Sequence, residues 1–166
     1  MKKYNTRFWI VALLFVSFNL FAKYPATVIR VIDGDTVVVI TEQKKKTRIR
    51  LIDIDAPELG QPFAKKSRQH LSSLIANKQV IIQESGKDTY NRKLATIFYC
   101  EDNINELMVK KGYAWAYRYN KIASNPEMVK FERQAKQKKL GLWQDKKPIE
   151  PWKYRQIQKN LHNVIK

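Results

Sequence analysis

The sequence predicts an α+β domain in which five short strands close a small β-barrel, with about three helices between and after them. Three observations carry that expectation. Short β-branched runs separated by tight polar turns fill the chain from Ala26 to Asp55, and recur at QVIIQE and LATIFYC. Apolar residues at helical spacing appear in three separate segments further along. The length of 166 residues suits one compact domain and needs no second core.

Taken in order, ATVIRV and TVVVITE are two strands broken by Asp33-Gly34, a strand–tight turn–strand pattern. QKKK (43–46) makes the next turn, and TRIRLIDID (47–55) reads as a third strand that stops at Ala56-Pro57, since proline cannot donate to a ladder. These three are expected to form a meander. PFAKKSRQHLSSLIANK (62–78) reads as a helix with Pro62 in its first turn. QVIIQE (79–84) returns to strand, SGKDTYNRK is a polar loop, and LATIFYC (94–100) is the fifth strand. INELMVKKG (104–112) is a short helix stopped by Gly112. A third helix opens at Asn125-Pro126 and ends at Gly141. Residues 146–166 form a basic tail, loosely held and helical from Trp152. Among small barrels of five strands the OB type is the commonest.

The first 22 residues read as an export signal. Lys2, Lys3 and Arg7 precede the apolar run FWIVALLFVSFNLFA (8–22), which ends on a small residue and is shorter than the roughly 20 residues a membrane span needs. Cleavage after Ala22 leaves a folded domain over 23–145, followed by the tail. The expected product is exported, periplasmic or secreted, and monomeric, with no stable membrane association. A single cysteine, Cys100, closes an apolar strand and is expected to be buried and inert.

With 32 Lys and Arg against 15 acids the formal net charge is +17, which points to a polyanionic partner such as nucleic acid. Against that background, IDIDAPE (52–58) concentrates three acids directly after KKKTRIR. Asp33 and Asp35 end one strand pair, and Asp53 and Asp55 end the next strand. Carboxylates brought side by side repel unless a cation lies between them, and oxygen-only donors suit Ca²⁺ or Mg²⁺. Asp33-Gly34 equally suits a plain turn. Arg50 and Arg92 supply guanidinium forks that match phosphate oxygens, and Glu58 is placed to activate a water. Strict strand alternation, however, sends Arg50 and Asp55 to opposite faces. They converge only if the strand bends or ends between them.

VIDGDT (31–36), RIRLIDIDAPE (48–58), DTYNRKLATIF (88–98) and NELMVKKGYAWAYRY (105–119) together resemble the staphylococcal nuclease family, in order and from about Thr27 to Trp143. The resemblance implies an OB-fold barrel with three helices, and Ca²⁺-dependent cleavage of DNA and RNA to 3′-phosphate ends. It implies that Asp35, Asp55 and the backbone carbonyl of Ala56 bind Ca²⁺, with Asp33 behind the metal. Glu58 becomes the candidate general base, and Arg50 and Arg92 the phosphate ligands. Tyr90, Tyr117 and Tyr119 match aromatics that line the nucleotide site; ordinary barrel packing is the other reading of these three. The chain departs from the pattern at Ala56, where the best-known member has Thr, at Asp53, an additional acid expected to face water, and in a short segment after Glu58. A catalytically inactive nucleic-acid-binding barrel is the competing expectation. An intact set of Asp35, Arg50, Asp55, Glu58 and Arg92 argues against it.

Overall fold

The computed structural model of the chain describes residues 23–164, so the apolar leader expected at 1–22 lies outside the described residues. Strands β1 (Lys23–Val31), β2 (Thr36–Ile40) and β3 (Lys46–Leu51) form the expected antiparallel meander. A two-residue strand β4 (Ile54–Asp55) and helix α1 (Ala64–Ile75) follow. Strand β5 (Gln79–Lys87) pairs with the other edge of β1, and β6 (Lys93–Tyr99) with β5. Closure comes from β6 lying parallel against β3, with Arg50 opposite Leu94. Five strands thus make a closed mixed barrel of the OB type, as the sequence predicts.

The remaining elements decorate that barrel. They are β7 (Asp102–Asn103), α2 (Ile104–Lys110), β8 (Trp115–Ala116), β9 (Arg118–Tyr119), β10 (Ile122–Ala123), α3 (Pro126–Gln137), a 3₁₀ turn (Gly141–Gln144) and α4 (Pro151–Val164). The fourth helix exceeds the expected three. Its start at Pro151 agrees with a helical tail, and its first turn buries Pro151 and half-buries Trp152 and Tyr154.

Strand alternation builds the core. Ala26 and Val28, Val37 and Val39, Ile49 and Leu51, Val80 and Ile82, and Ala95 and Ile97 all point inward and are buried. Each fully buried Val, Leu or Ile contributes about 1.5–3 kcal/mol. Leu71 and Ile75 of α1 and Ile104, Met108 and Val109 of α2 close over the barrel. Asn103 and Asn125 cap α2 and α3 by accepting from the backbone N–H of Glu106 and Glu127, the latter with Pro126 in the first turn. Helix α1 starts differently: Pro62 lies before Phe63, which takes a left-handed φ of 73° and has no side-chain cap.

One strand is shorter than expected. TRIRLIDID breaks after Leu51, because pairing with β6 ends at Ala95 and the backbone turns at Asp53 with φ 65°. The chain leaves the barrel wall, and β4 pairs instead with β8, Asp55 facing Trp115. At the far end, Gly112 and Gly141 meet backbone to backbone. A Cβ on Gly141 would lie 2.1 Å from the Gly112 carbonyl oxygen, and both residues have positive φ. That crossing seats Trp143 edge-on to Trp115, with ring centroids 5.1 Å apart.

Candidate active site

The β1–β2 turn supplies the first acids. Asp33 accepts a hydrogen bond from the Asp35 backbone N–H at 3.0 Å, so it is a turn former as its dipeptide suggested. Gly34 is required for space: a Cβ there would come within 1.9 Å of Ser67 Oγ and 2.7 Å of the Ala56 Cβ. Asp35 is buried, and its carboxylate accepts from Thr36 Oγ1 at 3.0 Å and from the Ala56 backbone N–H at 2.7 Å. The two acidic stretches are therefore joined directly.

The break after Leu51 removes the alternation problem. Arg50 reaches Asp35 Oδ2 at 2.5 Å through Nη1 and Asp55 Oδ1 at 2.9 Å through Nη2, so one guanidinium bridges both acids. Asn105 of α2, fully buried, fixes the loop. It donates to the carbonyls of Ile52 and Ala95 at 2.9 and 3.1 Å and accepts from the Ile97 N–H. Asp53 is not simply turned to water. It accepts from Ser124 Oγ at 2.6 Å and Asn125 Nδ2 at 3.3 Å, anchoring the segment after β10.

Arg92 arrives from the other side of the closing seam, two positions before Leu94. Asp88 organises its loop, accepting from the backbone N–H groups of Tyr90 and Arg92, and from Arg92 Nε at 2.6 Å. The Arg92 guanidinium lies 5.5 Å from the Tyr90 ring centroid. Asp35, Arg50, Ala56, Glu58, Tyr90, Arg92 and Tyr117 border a single cleft of about 800 Å³. Tyr119 stands outside it, on the β9–β10 hairpin. Tyr90 and Tyr119 are 80% and 71% exposed, so neither packs in the barrel.

Two participants carried no sequence signal. Arg155 of α4 grips Asp55 with both nitrogens, Nη1–Oδ1 at 3.2 Å and Nη2–Oδ2 at 3.0 Å, and also contacts Glu58 Oε1. It sits in a tail where basic residues are common and no motif marks it. Gln61, buried, accepts from the Glu58 N–H at 2.9 Å and donates to the Ile149 carbonyl at 2.7 Å, linking the Glu58 turn to the segment before α4.

The electrostatics follow from crowding. Burial, reinforced by the charge of Asp35, pushes the Asp33 carboxyl well above the ordinary carboxylate range. Burial also raises Asp55, against the hydrogen bond from Arg155 and the charge of Arg50. Burial opposes the charge on Arg50, but Asp35 and Asp55 outweigh it and hold its pKa above the ordinary value. Among the described residues no three acids, histidines or cysteines converge as a ready cage for a metal. The donor chemistry nevertheless fits a hard cation. Two buried carboxylates, Asp35 and Asp55, lie within reach of one Arg50 guanidinium, and Asp55 takes up a second positive group from α4. Cys100, expected to be buried, is exposed, because the β6–β7 turn there has φ of 46° and 71° at Cys100 and Glu101 and lifts the side chain off the strand.

Residues 48–145 match the family model described as staphylococcal nuclease homologue. The chain is 38% identical to a micrococcal nuclease of Shigella flexneri over 159 residues, covering 90% of this chain and 91% of that one. It is 38% identical to Protein ParB of Escherichia coli, covering 90% and 89%. Against an uncharacterised endonuclease of Haemophilus influenzae it is 41% identical over 137 residues, covering 82% and 76%.

Proposed function

This chain belongs to the staphylococcal nuclease family and is an endonuclease, a phosphodiester hydrolase acting on nucleic acid, and on that premise we propose a fuller reading. The protein is exported and cleaves DNA and RNA without sequence preference, in a Ca²⁺-dependent hydrolysis that leaves 3′-phosphate ends. One observation carries the reading: Asp35, Arg50, Glu58 and Arg92, drawn from three stretches of sequence, border the same cleft, and Arg50 holds Asp55 beside them at 2.9 Å. The basic, apolar leader supports export, and the net charge of +17 supports a polyanionic substrate.

In this reading Asp35, Asp55 and the Ala56 carbonyl hold Ca²⁺. Bound there, the ion would polarise a phosphate oxygen and offset the negative charge that builds on it. Arg50, on β3, and Arg92, in the loop just before β6, approach the scissile phosphate from the two sides of the closing seam, each with a planar guanidinium to set against its oxygens. As attack proceeds the phosphate gains charge, and two guanidiniums already in place stabilise that charge without reorganising. Glu58 stands at the mouth of the cleft, where its carboxylate can take a proton from an entering water. Tyr90, beside Arg92, and Tyr117, in the cleft wall, offer faces and hydroxyls to the sugar and base, while Tyr119, exposed on the β9–β10 hairpin outside the cleft, would reach only a more distant nucleotide.

Digestion of single-stranded DNA, duplex DNA and RNA with Ca²⁺, with Mg²⁺ and with chelator tests the reading, with end-group analysis of the fragments. Cleavage of all three with Ca²⁺, stopped by chelator and leaving 3′-phosphates, is expected. Undiminished cleavage in chelator would sink the cation assignment.

A further inference from the structure

The Arg155 contact is not needed to build the barrel. Helix α4 buries only Pro151, half-buries Trp152 and Tyr154, and leaves every described side chain from Arg155 to Asn163 exposed. Ile157 and Leu161 face solvent at 46% and 53% exposure, so no apolar seam holds the helix down. What holds it is the Gln61–Ile149 hydrogen bond, the approach of Tyr154 to Gly60, and the clasp of Arg155 on Asp55 and Glu58. In that clasp the acid is buried and the base is not: the Asp55 side chain is 5% exposed, that of Arg155 44%.

We propose that Arg155 is a tethered counter-cation which occupies Asp55 and Glu58 until a divalent cation displaces it, so that α4 is a latch released by cation binding. The proposal rests on the reading of this cleft as the cation site. Both oxygens of Asp55 already accept from Arg155, and Asp55 Oδ1 also accepts from Arg50. A cation coordinating Asp55 must therefore take an oxygen from a guanidinium. Arg50 is the harder one to move, being 11% exposed, fixed in β3 and bound to Asp35 as well. Arg155 is the exposed one, on a helix with little else to lose. A divalent ion brings twice its charge to the same carboxylates, and the same departure uncovers Glu58.

Two measurements on the purified full chain test this. Calorimetric titration with Ca²⁺ compares the wild type with Arg155→Ala and with Lys153→Ala, an exposed control on the same helix. Arg155→Ala is expected to bind Ca²⁺ about tenfold or more tightly, the scale of one charge-assisted contact no longer displaced. Lys153→Ala should match the wild type. Equal or weaker binding by Arg155→Ala overturns the latch while leaving the cation site intact. No Ca²⁺ binding by any of the three overturns the cation reading itself. Hydrogen exchange on the wild type needs no variant: Ca²⁺ should protect residues 52–58 and speed exchange across 151–158. Protection at 52–58 without faster exchange in α4 also rejects the latch.

Discussion

Glu132 and Asp55 are buried to nearly the same degree, 2% and 3% exposed, yet the molecule treats the two carboxylates in opposite ways. Glu132, on α3, accepts from the Ala116 N–H at 2.8 Å, from Arg118 at 2.8 and 3.2 Å, and from Lys136 at 2.5 Å. It is one acid among two cations and an amide, Lys136 from its own helix and the other two from β8 and β9. Asp55 shares Arg50 with Asp35 and Arg155 with Glu58, and Asp33 lies close behind. Four acids there face two guanidiniums, one of them on a terminal helix. The first network is closed and serves to fix β8 and β9 on α3. The second keeps a surplus of negative charge, and a surplus of that kind is what a site for a cation requires.

Removing an acid from each network should therefore have different effects. The largest is expected from Glu132→Ala, which strands the Ala116 amide and unpairs Arg118; unfolding in urea should show a loss of about 3–5 kcal/mol. A loss below 1 kcal/mol would mean the network is not closed as described. Next come Glu58→Ala and Arg92→Ala, each expected to slow hydrolysis of a fluorogenic oligonucleotide by at least ~10²-fold while the urea midpoint barely moves. Near-normal turnover in both would remove them from the chemistry.

Asn105→Ala probes the link between the two kinds of region. It leaves the Ile97 N–H and the Ile52 carbonyl without their side-chain partner, which should cost about 1–3 kcal/mol. Because Ile52 begins the acidic loop, turnover by the remaining folded protein should fall too; unchanged turnover would show that the loop is positioned without Asn105. The smallest effect is one of pH. Burial alone would raise the Glu132 carboxyl, but Arg118, Lys136 and the Ala116 amide hold it below its ordinary 4.5. A depressed value means the stabilisation is complete above pH 4.5 and is lost as pH falls through the folded-state value. The advantage of the wild type over Glu132→Gln in urea should thus shrink below that pH. A constant difference down to pH 3 would contradict the assignment.

The barrel was legible because its strands are short, β-branched and separated by turn residues, and Asn125-Pro126 marked α3 plainly. Asp35, Asp55, Glu58, Arg50 and Arg92 stand out in the sequence because their spacing repeats a family pattern, and the fold gathers them about one cleft. What the residues could not reveal was set by contacts distant in sequence. The end of β3 at Leu51 depends on where β6 stops pairing, 44 residues later. Asp53 was expected to meet water, but Ser124 and Asn125 come back to it across the fold. Arg155 was invisible for the same reason, lying 100 residues from Asp55. Cys100 failed more locally: LATIFYC scans as one strand, and nothing in its composition marks the left-handed turn at its end.

The parallel seam between β3 and β6 has a consequence for the order of events as the chain folds. The other barrel pairings are antiparallel, and β1–β2, β2–β3 and β5–β6 join neighbours across short turns. The seam joins residues 49–51 to 93–95 and must wait until the chain between them is compact, since the entropy of closing that loop is spent before the contacts return anything. Arg50 lies in the seam and Arg92 at its lip. A half-folded chain can hold the Asp33–Asp35 turn, which is local, without yet bringing the two arginines to one cleft. In a refolding experiment, the first appearance of cleavage therefore times the closing of the barrel rather than the formation of its meander.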